Sequence, residues 1–197
     1  MTSGPIGNVA RATLAALVLV LGSGAARAAE APFTQLMALL AARRSGTVTF
    51  VARTYAAGLT RPLISSGVLR FRAPDHLEQR TLKPVPSELI LDGEHMTVRR
   101  DGQTHQLNLR AYPNIAVYVD ALRATLGGHG RALRQQFAIG WHGTVAHWRL
   151  TLRPLQADAH VRQIRLAGAG ATIERIEILA PHGARTVLHL SDAPAAP

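Results

Sequence analysis

Nine histidines are the first residues that could do chemistry: His76, His95, His105, His129, His142, His147, His160, His182 and His189. Imidazoles hold metals or move protons only with partners at set spacings. No His-x3-His pair falls on a helical stretch, and no H-E-x-x-H motif occurs. His142 and His147 flank one hairpin and could meet, yet no acidic residue lies near them in sequence. Ser65-Ser66-Gly67 is the best hydroxyl candidate, but it is not a G-x-S-x-G elbow and it sits inside a strand pattern. Glu78, Glu88, Asp92 and Glu94 could in principle supply a pair of carboxylates for acid–base work. Asp92, however, precedes a glycine, where an aspartate has its own conformational reason to be. "GGHG" at 127–130 follows a helix rather than a strand, so it is no phosphate loop. Cysteine is absent, which removes disulfides, thiolate metal sites, a thiol nucleophile and a lipid-bearing N-terminal cysteine. The expectation is a protein with no catalytic residues, no metal site and no cofactor. An envelope hydrolase is the last of three functional readings.

The informative pattern lies elsewhere. "LISSGVLRFRAPDHLEQRTL" (63–82) alternates apolar and charged residues, breaks at Pro74 and alternates again. Leu69 and Phe71 fall on one face of the first strand, Arg70 and Arg72 on the other. Such a strand pair has one greasy and one wet side, which is the mark of an antiparallel sheet.

The 197 residues favour one domain, and 47% hydrophobic content can build a sizeable core. Only 5% of residues are aromatic, so apolar surface must be mainly aliphatic. The first residues read as an export signal. Arg11 precedes the apolar run "ATLAALVLVLG" (12–22), and Ala26-Arg27-Ala28 fits small-x-small cleavage before Ala29. That run is too short for a membrane span, which needs roughly 20 apolar residues. Residues 1–28 are thus read as a signal peptide, with an exported mature chain from Ala29. Their removal takes the formal charge from +10 to +8. The arginines are scattered through strands, with no run of like charge and no aromatic-interleaved basic motif, so nucleic acid is not the expected partner. A mild attraction to anionic headgroups and a merely solvated basic surface both fit.

The positioning elements follow from periodicity. Phe33, Leu36, Met37 and Leu40 recur at i, i+3, i+4, i+7, which predicts a helix over "FTQLMALLAARRSG" stopping near Gly46. Strands are predicted over 47–55, 63–71, 76–82, 88–91, 95–99 and 103–109. Asp92-Gly93 and Asp101-Gly102 read as hairpin turns with positive φ at both positions. The period then becomes helical: Ile115, Tyr118, Val119, Leu122 and Leu126 share a face, with Asn114 as cap and Gly127-Gly128 as stop. "RALRQQF" (131–137) adds a short turn of helix. Strands resume over 137–142, 146–154, 161–167, 172–179 and 184–190, and 191–197 reads as an unstructured tail. About eleven antiparallel strands cannot stay open and flat, so they should curl into a barrel or half-barrel.

The order of parts resembles the LolA-like periplasmic carrier family, which moves lipoproteins to the outer membrane. "SGVLRFRAPDHLEQRTLKP" and "SELILDGEHMTV" carry the resemblance through Gly67, Leu69, Phe71, Pro74, Leu77, Pro84 or Pro86, Ile90, Asp92, Gly93 and Met96. The specific motifs occupy 66–98; the element order matches over nearly the whole mature chain, 29–190. The resemblance implies a mainly β (α+β) fold: an unclosed antiparallel barrel of about eleven strands with helices as a lid over an apolar cavity. It implies a lid face of Phe33, Leu36, Met37, Leu40, Ile115, Tyr118, Val119 and Leu122. The cavity lining would be Leu69, Phe71, Leu77, Leu89, Leu91, Met96, Trp148, Leu150, Ile164 and Ile176. Ala73 stands where the carriers place a lid-latching arginine, and Arg72 points to the other face. This marks a divergent member.

The function so implied is a periplasmic carrier that binds acyl chains of lipoproteins or a related lipid and passes them toward the outer membrane. Its partners would be that cargo, an inner-membrane donor and an outer-membrane acceptor, with transient membrane contact and a monomeric carrier. The alternative is a sensor or interaction module of the envelope on the same fold.

Overall fold

A computed structural model describes residues 24–156 and 161–193. The apolar run 12–22, the residue His160 and the last four residues of the expected tail lie outside the described residues.

Helix α1 (Gly24–Ala42) leads the chain. It starts well before Phe33, because "GAARAAEA" is rich in alanine, the best helix former. Six strands follow: β1 (Ser45–Tyr55), β2 (Leu63–Arg72), β3 (His76–Lys83), β4 (Ser87–Asp92), β5 (His95–Arg100) and β6 (Gln103–Asn108). A 3-10 turn (Leu109–Ala111), α2 (Pro113–Leu126) and α3 (Gly130–Gln136) come next. Five strands end the chain: β7 (Phe137–Thr144), β8 (His147–Pro154), β9 (Gln163–Ala169), β10 (Thr172–Leu179) and β11 (Arg185–Asp192). Ser191 and Asp192 therefore belong to β11, not to a tail.

All eleven strands form one sheet in the order β6-β5-β4-β3-β2-β1-β11-β10-β9-β8-β7. Every neighbouring pair is antiparallel. The first and last strands adjoin at the centre, Phe50 opposite Leu190. The free edges are β6 and β7, and the segment that joins them in sequence carries α2 and α3. The fold is a mainly β, unclosed antiparallel barrel with helices over its concave side.

Two local expectations are corrected. The register sets Asp92 opposite His95, so the turn's central pair is Gly93-Glu94, one residue later than read. Gly93 has φ +52°, whereas the non-glycine residues with positive φ among those described are Asp101 and His182. Only Asp101-Gly102 places positive φ at both turn positions, at 52° and 76°. At α2 the cap position falls on Tyr112 rather than Asn114, with Pro113 opening the helix. Proline suits that place because the first helical N–H has no partner to lose.

Apolar inward positions build two cores. The larger joins Phe33, Leu36, Met37 and Leu40 of α1 to Leu133 of α3 and to β7–β10. Trp148, Leu150 and Leu152 are its centre, each 1% exposed or less. The indole N–H of Trp148 donates to the Gly170 carbonyl at 3.0 Å, so even its polar atom is satisfied. The smaller core sets Ile115 and Val119 of α2 with Leu109 against Phe71, Leu77, Leu91 and Met96. Gly128 links α2 to α3 with φ +67°, and a Cβ there would stand 2.1 Å from the Met37 carbonyl oxygen. The lid's joint is thus seated directly on α1.

Candidate functional site

Two rungs of inward side chains cross β1–β5. The first runs Gly46, Phe71, Leu77, Leu91, Met96. The second runs Val48, Leu69, Gln79, Leu89, Val98. The first lies under α2 and is buried where it carries a side chain. The second is only half-buried: Leu89 and Val98 pack against the smaller core, and Val48 and Leu69 border open space. Further along the same face the residues turn polar: Thr81 and Ser87 face each other, and Thr54 and Thr186 bond side chain to side chain at 3.2 Å.

Between the second rung and the lid is a cavity of about 130 Å³. Its wall is aliphatic: Val48, Leu69, Leu77, Leu89, Leu91 and Ile176 from the sheet, Leu40, Leu122 and Leu126 from the helices, with Phe71 the aromatic member. Ile173 and Leu190 complete it on the β10–β11 side. Four polar residues contribute to its border, Arg43, Arg70, Glu78 and Gln79; Arg70 and Glu78 alternate with the inward Leu69, Phe71 and Leu77, so their side chains turn to the outer face. Arg70 and Glu78 pair at 2.8 Å. Arg43, just past α1, donates to the Ala171 carbonyl at 3.4 Å. A hollow of this chemistry can shelter hydrocarbon.

The expected lining residues divide. Leu69, Phe71, Leu77, Leu89, Leu91 and Ile176 border the cavity. Met96 is buried beneath α2, and Trp148, Leu150 and Ile164 belong to the larger core. Of the expected lid residues only Leu40 and Leu122 reach the cavity. Phe33, Leu36 and Met37 are core side chains of α1, Tyr118 packs on the same core, and Ile115 and Val119 cover the smaller one. Burial pushes the Tyr118 phenol above its ordinary pKa. Val48, Leu126, Ile173, Leu190 and Arg43 were not among the expected lining. Leu126 shares the helical face of Leu122, and Val48 the inward face of Phe50, so both carried a signal. Ile173 did not: a bulge between Ile173 and Arg175 resets the alternation, and counting by twos from Ile176 would turn it outward.

Three of the candidate carboxylates face basic side chains. Glu88 pairs with Arg99 at 2.6 Å, Glu94 with Arg110 at 2.7 Å, and Asp92 faces His76 at 3.9 Å. Glu88 and Glu94 thus meet guanidinium groups instead of another carboxylate. The β7–β8 register sets His142 opposite Arg149 and His147 opposite Thr144, so the two imidazoles are not partners across the hairpin. Among the described residues no three His, Cys, Asp or Glu side chains gather to hold a metal.

Comparison with known proteins gives a family and a set of similar folds. Residues 23–196 match the family model described as "Outer membrane lipoprotein carrier protein LolA-like". No curated protein matches the chain. Among solved structures it is similar to the LolA superfamily protein NE2245 from Nitrosomonas europaea, at 12% identity and TM-score 0.47, covering 86% of this chain and 94% of that one. A DUF1329 family protein from Desulfovibrio piger is similar at 8% identity and TM-score 0.46, covering 83% and 91%. Lipoprotein LppX from Mycobacterium tuberculosis is similar at 13% identity and TM-score 0.42, covering 82% and 97%. With the family match running over nearly every described residue, the chain belongs to the LolA-like family of outer membrane lipoprotein carrier proteins.

Proposed function

We propose that this protein is a non-catalytic periplasmic carrier, which takes acyl chains of a lipoprotein or related lipid into its cavity and passes them toward the outer membrane. The observation that supports this most is the half-buried aliphatic rung Val48-Leu69-Leu89, which borders a hollow beneath a helical lid. A protein of this hydrophobic content could have sealed that face; here it is walled with aliphatic side chains and left hollow. In this reading the chain is exported through a signal cleaved before Ala29 and works as a monomer. An inner-membrane donor loads it, an outer-membrane acceptor unloads it, and contact with either membrane is transient. It needs no cofactor and no nucleic acid.

The energetics suit a carrier. Each buried methylene is worth about 0.8 kcal/mol, so a fully sheltered long chain would gain on the order of 10 kcal/mol. Leu40, Leu122 and Leu126 already contact the hollow. A guest that displaces them gives back part of that gain, which keeps binding reversible. The test is purification from the envelope fraction followed by lipid extraction and mass spectrometry, with transfer of a fluorescent acyl probe from donor to acceptor vesicles. Co-purified acylated material and transfer faster than spontaneous exchange are expected. Absence of both overturns the proposal.

A further inference from the structure

We infer that the guest is a single-chain amphiphile with an anionic head, its tail in the hollow and its head on Arg43. This rests on the acyl-carrier reading above and names its substrate class.

Size gives the single chain. The resting hollow of about 130 Å³ holds roughly ten waters, which is room for part of one tail, and each further chain would require the lid to lift more. Charge gives the head. Arg70 and Glu78 neutralise each other at 2.8 Å, and Gln79 is uncharged. Arg43 alone brings uncompensated charge: among the described residues no carboxylate pairs with it, and its one bond, to the Ala171 carbonyl, is long at 3.4 Å. A guanidinium beside an apolar hollow gains most from an anion, because charge-assisted bonds are the strong ones and no water-rich surface competes on the hollow side.

Position joins the two. Arg43 lies between the end of α1 and the start of β1, and its guanidinium rests over Gly46. A Cβ at Gly46 would stand 3.2 Å from Nε and Nη2, so the missing side chain is what lets the group lie there. From that rim the wall runs inward through Val48, Leu69 and Leu89 toward Leu122. A head held at Arg43 therefore aims its tail along the half-buried rung. The shared chemistry is one tail with one anion, whether the anion is a fatty carboxylate or the phosphate of a lysophospholipid.

The test is equilibrium binding of cis-parinaric acid and of its methyl ester, which has the same chain and a neutral head. The native protein should prefer the acid by about tenfold or more, the worth of one charge-assisted bond. Arg43→Gln should lose that preference and keep the ester affinity; Arg43→Lys, which retains charge without the fork, should keep part of it. Unchanged thermal midpoints would show both variants folded. Equal affinity for acid and ester in the native protein, or a preference that survives Arg43→Gln, overturns the assignment while leaving the carrier reading intact. Failure of the ester as well as the acid to bind overturns both. Competition separates the sources: displacement of the probe by oleate points to a carboxylate, by lysophosphatidylglycerol to a phosphate. Equal displacement by the diacyl phosphatidylglycerol overturns the single-chain part.

Discussion

The two wings of the sheet carry the same alternating pattern and come to opposite ends. In β7–β10 the inward residues Trp148, Leu150, Leu152 and Ile164 meet α1 and α3 and are sealed. In β1–β4 the inward residues Val48, Leu69 and Leu89 stay half-buried and border a hollow beneath the lid. Period two reports which way a side chain faces. What covers it is decided by helices distant in sequence, and that decision separates a core from a vessel.

The contrast can be broken most forcefully in the sealed wing. Trp148→Ala should cost about 3–5 kcal/mol, since it opens a void among rigid neighbours and deletes the bond to Gly170. Leu69→Ala on the hollow side should cost less than about 1 kcal/mol, because Leu69 borders the cavity and belongs to neither core. Denaturant titration of both variants reads the difference, and equal losses would mean that the wings are not different in kind. Gly128→Ala comes next, at about 2–3 kcal/mol. It strains a left-handed residue and drives a methyl into the Met37 carbonyl, so it should also loosen the lid. Faster entry of an acyl probe alongside lower stability is the expected signature.

Leu69→Trp sharpens the comparison without unfolding anything. An indole placed in the empty wing should lower acyl-probe affinity by about tenfold while leaving the unfolding free energy within about 0.5 kcal/mol of native, the range of a change that breaks no packing. A large loss of stability would mean that the wing was already full. The smallest effect is expected at Asp120 of α2. Burial raises its carboxyl pKa, and Arg123 beside it lowers the shift only in part. The folded state therefore holds that proton more tightly than the unfolded chain does. The linked stability is present in acid and is lost as pH rises through the raised pKa. Asp120→Asn should match the native protein at pH 3 and be slightly more stable above the carboxylate range, read as melting temperature against pH.

Much of this architecture was legible beforehand. Strand after strand could be read from alternation, and the lid from Leu122 recurring with Leu126 and Val119. The resemblance in 66–98 brought the curled sheet and the lid together. What stayed hidden has physical causes. A one-residue slip at Asp92-Gly93 is invisible until the register with His95 is known. Ile173 faces the hollow through a bulge that no period predicts. Leu69 and Leu150 read alike in sequence, because a strand does not record whether a helix will come to rest on it. Arg43 falls at the end of the helix predicted over "FTQLMALLAARRSG", and only the fold shows that it borders the cavity.

The lid is fastened at both ends to the sheet's two unpaired margins, since α2 and α3 lie in the chain between β6 and β7. It works like a string across a bow. Any force that splays the margins must draw the string taut and shift it over the hollow, and any guest that pushes the string outward must pull the margins. Mouth width and lid height are then one mechanical coordinate, so a pull on either outer strand would be felt at the helices.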